Sequence, residues 1–195
     1  METVQTDERI TVAMGELLRR QGYAATGIKK VIDAAGVPNG SLYHHFPGGK
    51  REIAEKSLRT MGAAYAELVG GLLAEGDDLP AAIERAFDAA ATDIETTGWA
   101  NMCPVGTVAG EVADAEPELR SVAAEVFTSW IDGGTQLAML RGYSADDARS
   151  LCIALLAALE GAFVMARTLR SAEPLRSAGR AMAAYATSVG SGVRR

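Results

Sequence analysis

The sequence predicts an all-α chain, and three observations carry that prediction. Apolar residues recur at three- and four-residue intervals through most of the 195 positions, the spacing that gathers them on one side of a helix. No stretch alternates apolar and polar residues between turn residues, so no strand is expected. Glycine and proline fall at the ends of the periodic stretches and divide the chain into about nine helices. Three short helices over residues 1–50 form a first domain and residues 51–195 a larger second one, enough chain to bury a substantial core.

In chain order, Thr6 or Asp7 is expected to cap the first helix, on which Ile10, Ala13, Met14, Leu17 and Leu18 form an apolar stripe. Gly22 stops it, and Tyr23 can fold back over its end. The next helix, Ile28 to Ala35, turns Ile28, Val31, Ile32 and Ala35 inward and is too short to stand alone. Gly36 supplies a left-handed turn, Val37 plugs the core, and Pro38 fixes the start of a third helix from Asn39 to His45. Leu42 and Phe46, four apart, are its buried face, which leaves Asn39, Gly40, Tyr43 and His44 outward. Gly40 costs that helix about 1 kcal/mol relative to alanine, a cost that makes sense where backbone must approach another surface closely. A support helix, a glycine turn and a short outward-facing helix make a helix-turn-helix whose last helix is presented to DNA.

Pro47, Gly48 and Gly49 break the chain before a long helix from about Lys50 to Ala74, with Ile53, Leu58, Met61, Tyr65, Leu68 and Leu72 at helical spacing. Gly76 to Asp78 end it. Leu79 to Thr97 follows with Ile83, Phe87 and Ile94 inward, then a loop from Gly98 to Cys103 and a short helix from Pro104 to Ala113. Pro117 opens a helix reaching about Arg141, where Gly142 stops it. Ser144 with Asp147 has the form of a capping box and opens a helix to about Leu169. Pro174 to Val189 is the last helix, and the tail from Gly190 is expected to fray.

The formal net charge of -6 argues at first against nucleic acid, but it is unevenly placed. Residues 1–60 hold nine Lys and Arg against seven Asp and Glu, so the acidity belongs to the remainder. The two cysteines, Cys103 and Cys152, have neither C-x-x-C spacing nor the density of a disulfide scaffold, which points to a reduced, cytoplasmic protein. The start, METVQTDERI, has no basic run followed by an apolar one, so no signal peptide is expected. Leu151 to Leu169 is the most apolar segment, yet Glu160 interrupts it; a buried helix explains the run better than a membrane span.

Catalytic and metal chemistry find no foothold. Gly49-Lys50 would need Gly at position 44 and Ser or Thr at 51 for a phosphate loop, where the chain has His44 and Arg51. His44 and His45 are adjacent and do not share a helix face, the cysteines have no nearby histidine, and no G-x-S-x-G appears. No enzyme activity, cofactor or metal is expected. The rival reading kept open is a helical ligand-binding dimer, adaptor or small enzyme that does not bind DNA.

Gly22-Tyr23-x-x-Thr26, Ala35-Gly36-Val37, and Gly40-Ser41-Leu42-Tyr43-His44-His45-Phe46 with a following Lys50 resemble the TetR/AcrR family of bacterial regulators at many points of fixed spacing. The likeness is sharp over residues 8–55. The stretch Met102 to Ala109, with Pro38, Ile32 and the His-Phe-Pro-Gly-Gly-Lys run, resembles the branch of lincomycin-resistance and flavonoid-responsive repressors. Ile32 stands where many members have a small residue, and Asn39 where that branch often has a basic one.

The resemblance implies an N-terminal DNA-binding domain and a C-terminal ligand-binding and dimerisation domain. It places Thr26, Tyr43, His45 and Lys50 on phosphates and Asn39, Gly40, Ser41 and His44 at base edges or the groove wall, with Lys29 and Lys30 adding charge from the support helix. Asn can read adenine through two hydrogen bonds. Two copies of the chain would pair through the last two long helices, with Leu151, Leu155, Leu159, Ala162, Met182 and Tyr185 at the interface. An effector cavity is expected among the large or polarisable residues Met61, Tyr65, Phe87, Trp99, Met102, Cys103, Phe127, Trp130 and Phe163, which suit a hydrophobic or aromatic molecule. The function implied is a ligand-responsive regulator, most simply a repressor released from a palindromic operator. Its partners are double-stranded DNA, a small effector and a second copy of itself, with no membrane.

Overall fold

A computed structural model describes residues 5–76 and 78–190. Among the described residues there are nine helices and no strand: α1 (Thr6–Gln21), α2 (Ile28–Ala35), α3 (Asn39–His45), α4 (Gly49–Ala74), α5 (Leu79–Thr96), α6 (Pro104–Val112), α7 (Pro117–Leu140), α8 (Ala145–Leu169) and α9 (Glu173–Gly190). The all-α expectation holds, with boundaries shifted by a residue or so. Past Gly190, the tail expected to fray lies outside the described residues.

Two end signals came out differently. Ser144 caps α8: its Oγ accepts from the Asp147 N–H at 3.1 Å and, in place of the backbone return bond of a capping box, donates to Asp147 Oδ2 at 2.7 Å. Neither Thr6 nor Asp7 caps α1, however. Gln5 occupies that position in extended backbone without a side-chain cap. Asp7 lies inside the first turn, where its carboxylate takes a hydrogen bond from Lys56 Nζ at 2.8 Å, and that bond holds its pKa below the usual carboxylate value.

By packing, the chain forms two compact units. One takes the chain up to Ala64 together with Met102–Val126; the other takes Tyr65–Asn101 and the chain from Phe127 on. A division after Lys50 follows the order of motifs along the sequence, whereas packing recruits α6 and the start of α7 to the N-terminal helices.

The core of the first unit is built from the positions that the periodicity selects. Ile10, Met14 and Leu18 of α1, Val31 of α2, Leu42 of α3 and Ile53 and Leu58 of α4 are fully buried. Close approach is set by glycines. A Cβ on Gly15 would lie 2.7 Å from Met61 Cγ, and one on Gly62 would lie 2.6 Å from Val126 Cγ1. The buried Ser57 hydroxyl donates to the Thr11 carbonyl at 2.7 Å and so joins α4 to α1 without leaving a polar group unsatisfied.

The second unit packs α5 against α9 and α8 against both, with Ile83, Ile94, Leu151 and Leu175 among its fully buried residues. A Cβ on Gly179 of α9 would stand 2.7 Å from Phe87 Cβ of α5. Arg176 reinforces that contact from the surface, bridging Asp88 and Glu95 at 3.0 Å each. At the end of α4, Arg141 donates to the carbonyls of Leu73 at 2.7 Å and Gly76 at 2.9 Å, which satisfies acceptors that the helix itself leaves open. Helix α8 is long and apolar enough by length and composition to cross a membrane; Leu151, Leu159 and Phe163 are buried within this unit, while Ile153, Val164, Met165 and Leu169 are exposed.

Candidate nucleic-acid interface and ligand cavity

The helix-turn-helix is held in shape by one glycine and one arginine. Gly36 adopts φ 62° and ψ 42°, the left-handed conformation that the turn needs. Its N–H donates to the Ile32 carbonyl at 3.0 Å, and Arg9 Nη2 reaches across from α1 to the carbonyls of Ala35 at 2.6 Å and Gly36 at 2.9 Å. A cation at the C-terminal end of α2 also complements that end's partial negative charge.

Helix α3 buries Leu42, with Phe46 just beyond it, and exposes Asn39, Gly40, Tyr43, His44 and His45; Ser41 is half-buried. Tyr43 is 58% exposed, unusual for a ring of that size in a short helix. A Cβ on Gly40 would meet nothing within 4 Å, so the packing of this chain does not require glycine there. Lys29 is exposed and paired with Asp33 at 2.8 Å, and Lys30 Nζ donates to the Ala25 carbonyl at 3.1 Å.

Two residues expected on phosphates are placed elsewhere. Thr26 is fully buried; its hydroxyl donates to the Gly22 carbonyl at 2.6 Å and accepts from Gln21 Nε2 at 3.1 Å, which locks the turn between α1 and α2. Lys50 is half-buried, with Nζ 3.9 Å from the centroid of the Tyr23 ring. Burial lowers its pKa, against the opposite pull of Glu111 and Glu116. Its ammonium therefore serves a cation–π contact inside the first unit.

The second unit holds a partly open cavity of about 300 Å³. Tyr65, Val69, Gly70 and Leu73 of α4 form one wall and Ile83, Ala86, Phe87 and Ala90 of α5 another. Ser129, Trp130, Gly133, Gly134 and Leu137 of α7 face Cys152, Leu155, Leu156 and Leu159 of α8. Trp130 is flanked by Tyr65, centroids 5.6 Å apart at 39°, and by Phe127, 5.6 Å apart at 82°. Burial pushes the Cys152 thiol up, and a hydrogen bond with Thr135 offsets part of that rise.

Of the nine expected cavity residues, the structure brings Tyr65, Phe87 and Trp130 together, with Phe127 behind Trp130. The others have different work. Met61 packs on Gly15 in the first unit. Met102 and Cys103 also belong to that unit, and the Cys103 sulfur caps α6 by accepting the Gly106 N–H at 3.3 Å. Trp99 sits in a loop at φ 67°, where its N–H donates to the Ile94 carbonyl at 2.8 Å, and Phe163 is buried core. Large side chains are a partial guide to this cavity, because part of the space lies where glycine and alanine stand. The helix-interior glycines at 70 and 133, beside which nothing lies within 4 Å of where a Cβ would stand, are the available signal.

The α8 residues expected at a dimer interface face into this unit instead. Leu155 and Leu159 line the cavity, and Leu151 and Ala162 are buried in the unit's core. The outward apolar face is Ile153, Ala157, Val164 and Met165, the last two 56% and 53% exposed. An all-round apolar helix shows two equivalent faces in sequence, and periodicity does not say which one faces in. On α9, Met182 and Tyr185 are half-buried. Glu160 follows Leu159 but is not part of the cavity wall.

Comparison with known proteins places both parts of the chain in one family of regulators. Residues 10–56 match the family described as bacterial regulatory proteins, tetR family, and residues 80–181 match the description transcriptional regulator LmrA/YxaF-like, C-terminal domain. The HTH-type transcriptional regulator YxaF of Bacillus subtilis is 31% identical over 168 residues, covering 86% of this chain and 88% of its own. LmrA of the same organism is 27% identical, with 86% and 89% covered. Among solved structures, a regulatory protein TetR from Rhodobacter sphaeroides superposes with a TM-score of 0.80 at 26% identity, over 91% of this chain and 97% of that one. With a glycine-turned reading helix in one unit and a walled cavity in the other, this chain belongs to the TetR family of transcriptional regulators, in its LmrA/YxaF-like branch.

Proposed function

We propose that this protein is a cytoplasmic repressor that binds a palindromic operator as a homodimer and leaves it when a small hydrophobic or aromatic effector fills the cavity of its second unit. The observation that carries this reading is α3. Leu42 and Phe46 are buried beneath it, while Asn39, Gly40, Tyr43, His44 and His45 are exposed, a mix of donors, rings and bare backbone rather than a solvated charged face. In this reading Asn39, Gly40, Ser41 and His44 meet base edges or the groove wall. Tyr43, His45 and Lys29 take phosphates. Thr26 and Lys50 act from behind, as the turn lock and the Tyr23 partner described above.

So short a reading helix gives weak binding alone. Two copies about 34 to 36 Å apart, in successive major grooves, give useful affinity. The α8 face of Ile153, Ala157, Val164 and Met165 supplies the surface for pairing. Helix α4 carries both Gly49, beside the reading head, and Tyr65 and Val69, in the cavity wall; it is the element through which occupancy biases head spacing. A coupling of about 1 to 3 kcal/mol is enough for a 5- to 150-fold loss of operator affinity. No catalytic step enters this mechanism.

A salt-titrated shift assay on the DNA upstream of the coding sequence tests the reading. Salt-dependent binding of a dimer to a palindrome supports it, and equal affinity for unrelated DNA refutes it. Asn39→Ala should change the ranking of operator variants; an unchanged ranking removes Asn39 from base reading.

A further inference from the structure

We propose that Asp33 determines how sharply this protein separates its operator from other DNA, by holding Lys29 off the phosphates until α3 fits its bases. The inference rests on reading α2 and α3 as the DNA-binding head with Lys29 on a phosphate, and it adds a residue that acts against binding. Between Glu16 and Glu52 the sequence has the cations Arg19, Arg20, Lys29, Lys30, Lys50 and Arg51 and a single acid, Asp33. That one carboxylate stands on α2, one turn after Lys29, and its Oδ2 accepts from Lys29 Nζ at 2.8 Å. Lys30, the other cation of α2, donates instead to the neutral oxygens of Ala25 at 3.1 Å and Gln21 at 3.4 Å.

Helix stability does not account for the pair. Acids favour the first turn of a helix and cations the last, and a pair four residues apart is better with the acid first. Here the order is reversed: Lys29 is the second residue of α2, and Asp33 lies in its last turn, the end whose carbonyls already draw Arg9. Both side chains stand in water, 84% and 62% exposed, so the pair is weakly held and open to exchange. An acid so placed works against its own helix and neutralises a cation of the reading head.

Affinity for DNA of any sequence comes from cations that displace counterions at the phosphates. With Lys29 held by Asp33, an ill-fitting duplex meets one cation fewer per subunit. On the operator, the base contacts of α3 fix the head close enough for a phosphate to take Lys29 over, and Asp33 is left as a bare carboxylate beside the DNA backbone. That exchange is unfavourable, and only a sequence that satisfies the base-reading side chains offsets it.

The test is a shift assay at several salt concentrations on two duplexes, the palindrome upstream of the coding sequence and a scrambled duplex of the same length and composition. Asp33→Asn is expected to bind the scrambled duplex about threefold or more tighter, with a slope of log affinity against log salt steeper by about two for a dimer. The operator should gain less, so the ratio between the two duplexes falls. Asp33→Glu should restore the parent behaviour, and Asp33→Asn should have no effect in a Lys29→Gln background. The unfolding midpoint of Asp33→Asn should stay at or above that of the parent, because the lost charge opposed the helix end. The proposal is overturned by an unchanged slope and affinity on the scrambled duplex, by equal gains on both duplexes, or by gains that persist without Lys29. A parent protein that binds both duplexes equally refutes the operator-binding reading underneath. A parent that prefers the operator, with Asp33→Asn behaving as it does, refutes this inference alone.

Discussion

Glu111 of α6 grips the turn after α1 through the backbone of Tyr23: its Oε2 accepts the Tyr23 N–H at 2.7 Å, while Oε1 takes the Ala24 N–H at 2.6 Å. The grip needs Gly22, which sits at φ 77° and on which a Cβ would lie 2.5 Å from that same Oε2. Charge-assisted bonds to backbone are stronger than neutral ones, but Glu111 is exposed and water competes for it. Glu111→Gln keeps one acceptor and should cost about 1 kcal/mol in urea unfolding. Gly22→Ala adds backbone strain to the lost approach and should cost about 1 to 3 kcal/mol. The reverse order of the two variants would mean that the carboxylate, not the glycine, sets the turn.

Arg9→Ala removes the bonds to the Ala35 and Gly36 carbonyls. The support helix then ends on unsatisfied acceptors, and the reading helix loses its fixed angle. Stability should fall by about 1 to 2 kcal/mol. Operator affinity, measured at a temperature where the variant is fully folded, should fall as well. Unchanged operator affinity in a destabilised variant would show that Arg9 supports the fold without orienting α3.

For Lys50, geometry and family resemblance predict different salt behaviour. A phosphate contact would make Lys50→Ala reduce the slope of log affinity against log salt by about one. With Nζ over the Tyr23 ring, the slope should instead stay the same while the unfolding midpoint drops. Shift assays at three or four salt concentrations separate the two.

The Asp7–Lys56 pair gives the acid limb of stability a named contributor. Asp7 is held below its ordinary value of 3.8, chiefly by the hydrogen bond from Lys56. Its folded pKa lies below its unfolded one, so its contribution is complete above the unfolded value and is lost as pH falls through the lowered folded value. Asp7→Asn should therefore lose less stability than the parent protein between pH 5 and pH 3. Parallel urea midpoints for the two proteins over that range would show that the pair is inert.

How much of this was legible beforehand differs by site. The reading head was, because a three-helix unit leaves few choices: Leu42 and Phe46 must go in, Gly36 must turn, and the residues between them must face out. What sequence spacing could not show was the use of the polar groups. Thr26 and Lys50 match the pattern of phosphate-binding residues, yet one satisfies a carbonyl four residues back and the other covers a ring. The cavity was legible only at Tyr65, Phe87 and Trp130. A cavity is defined by what is missing from facing helices, and here small residues such as Gly133 and Ala86 leave the room, at positions far apart in sequence.

The bare backbone of Gly179 against Phe87 has a mechanical consequence. Phe87 shows one side to the cavity and the other directly to α9, with no intervening side chain to yield. A wall built this way has no cushion. A push on that ring from within would meet the backbone of α9 directly, with no side chain at position 179 to absorb it.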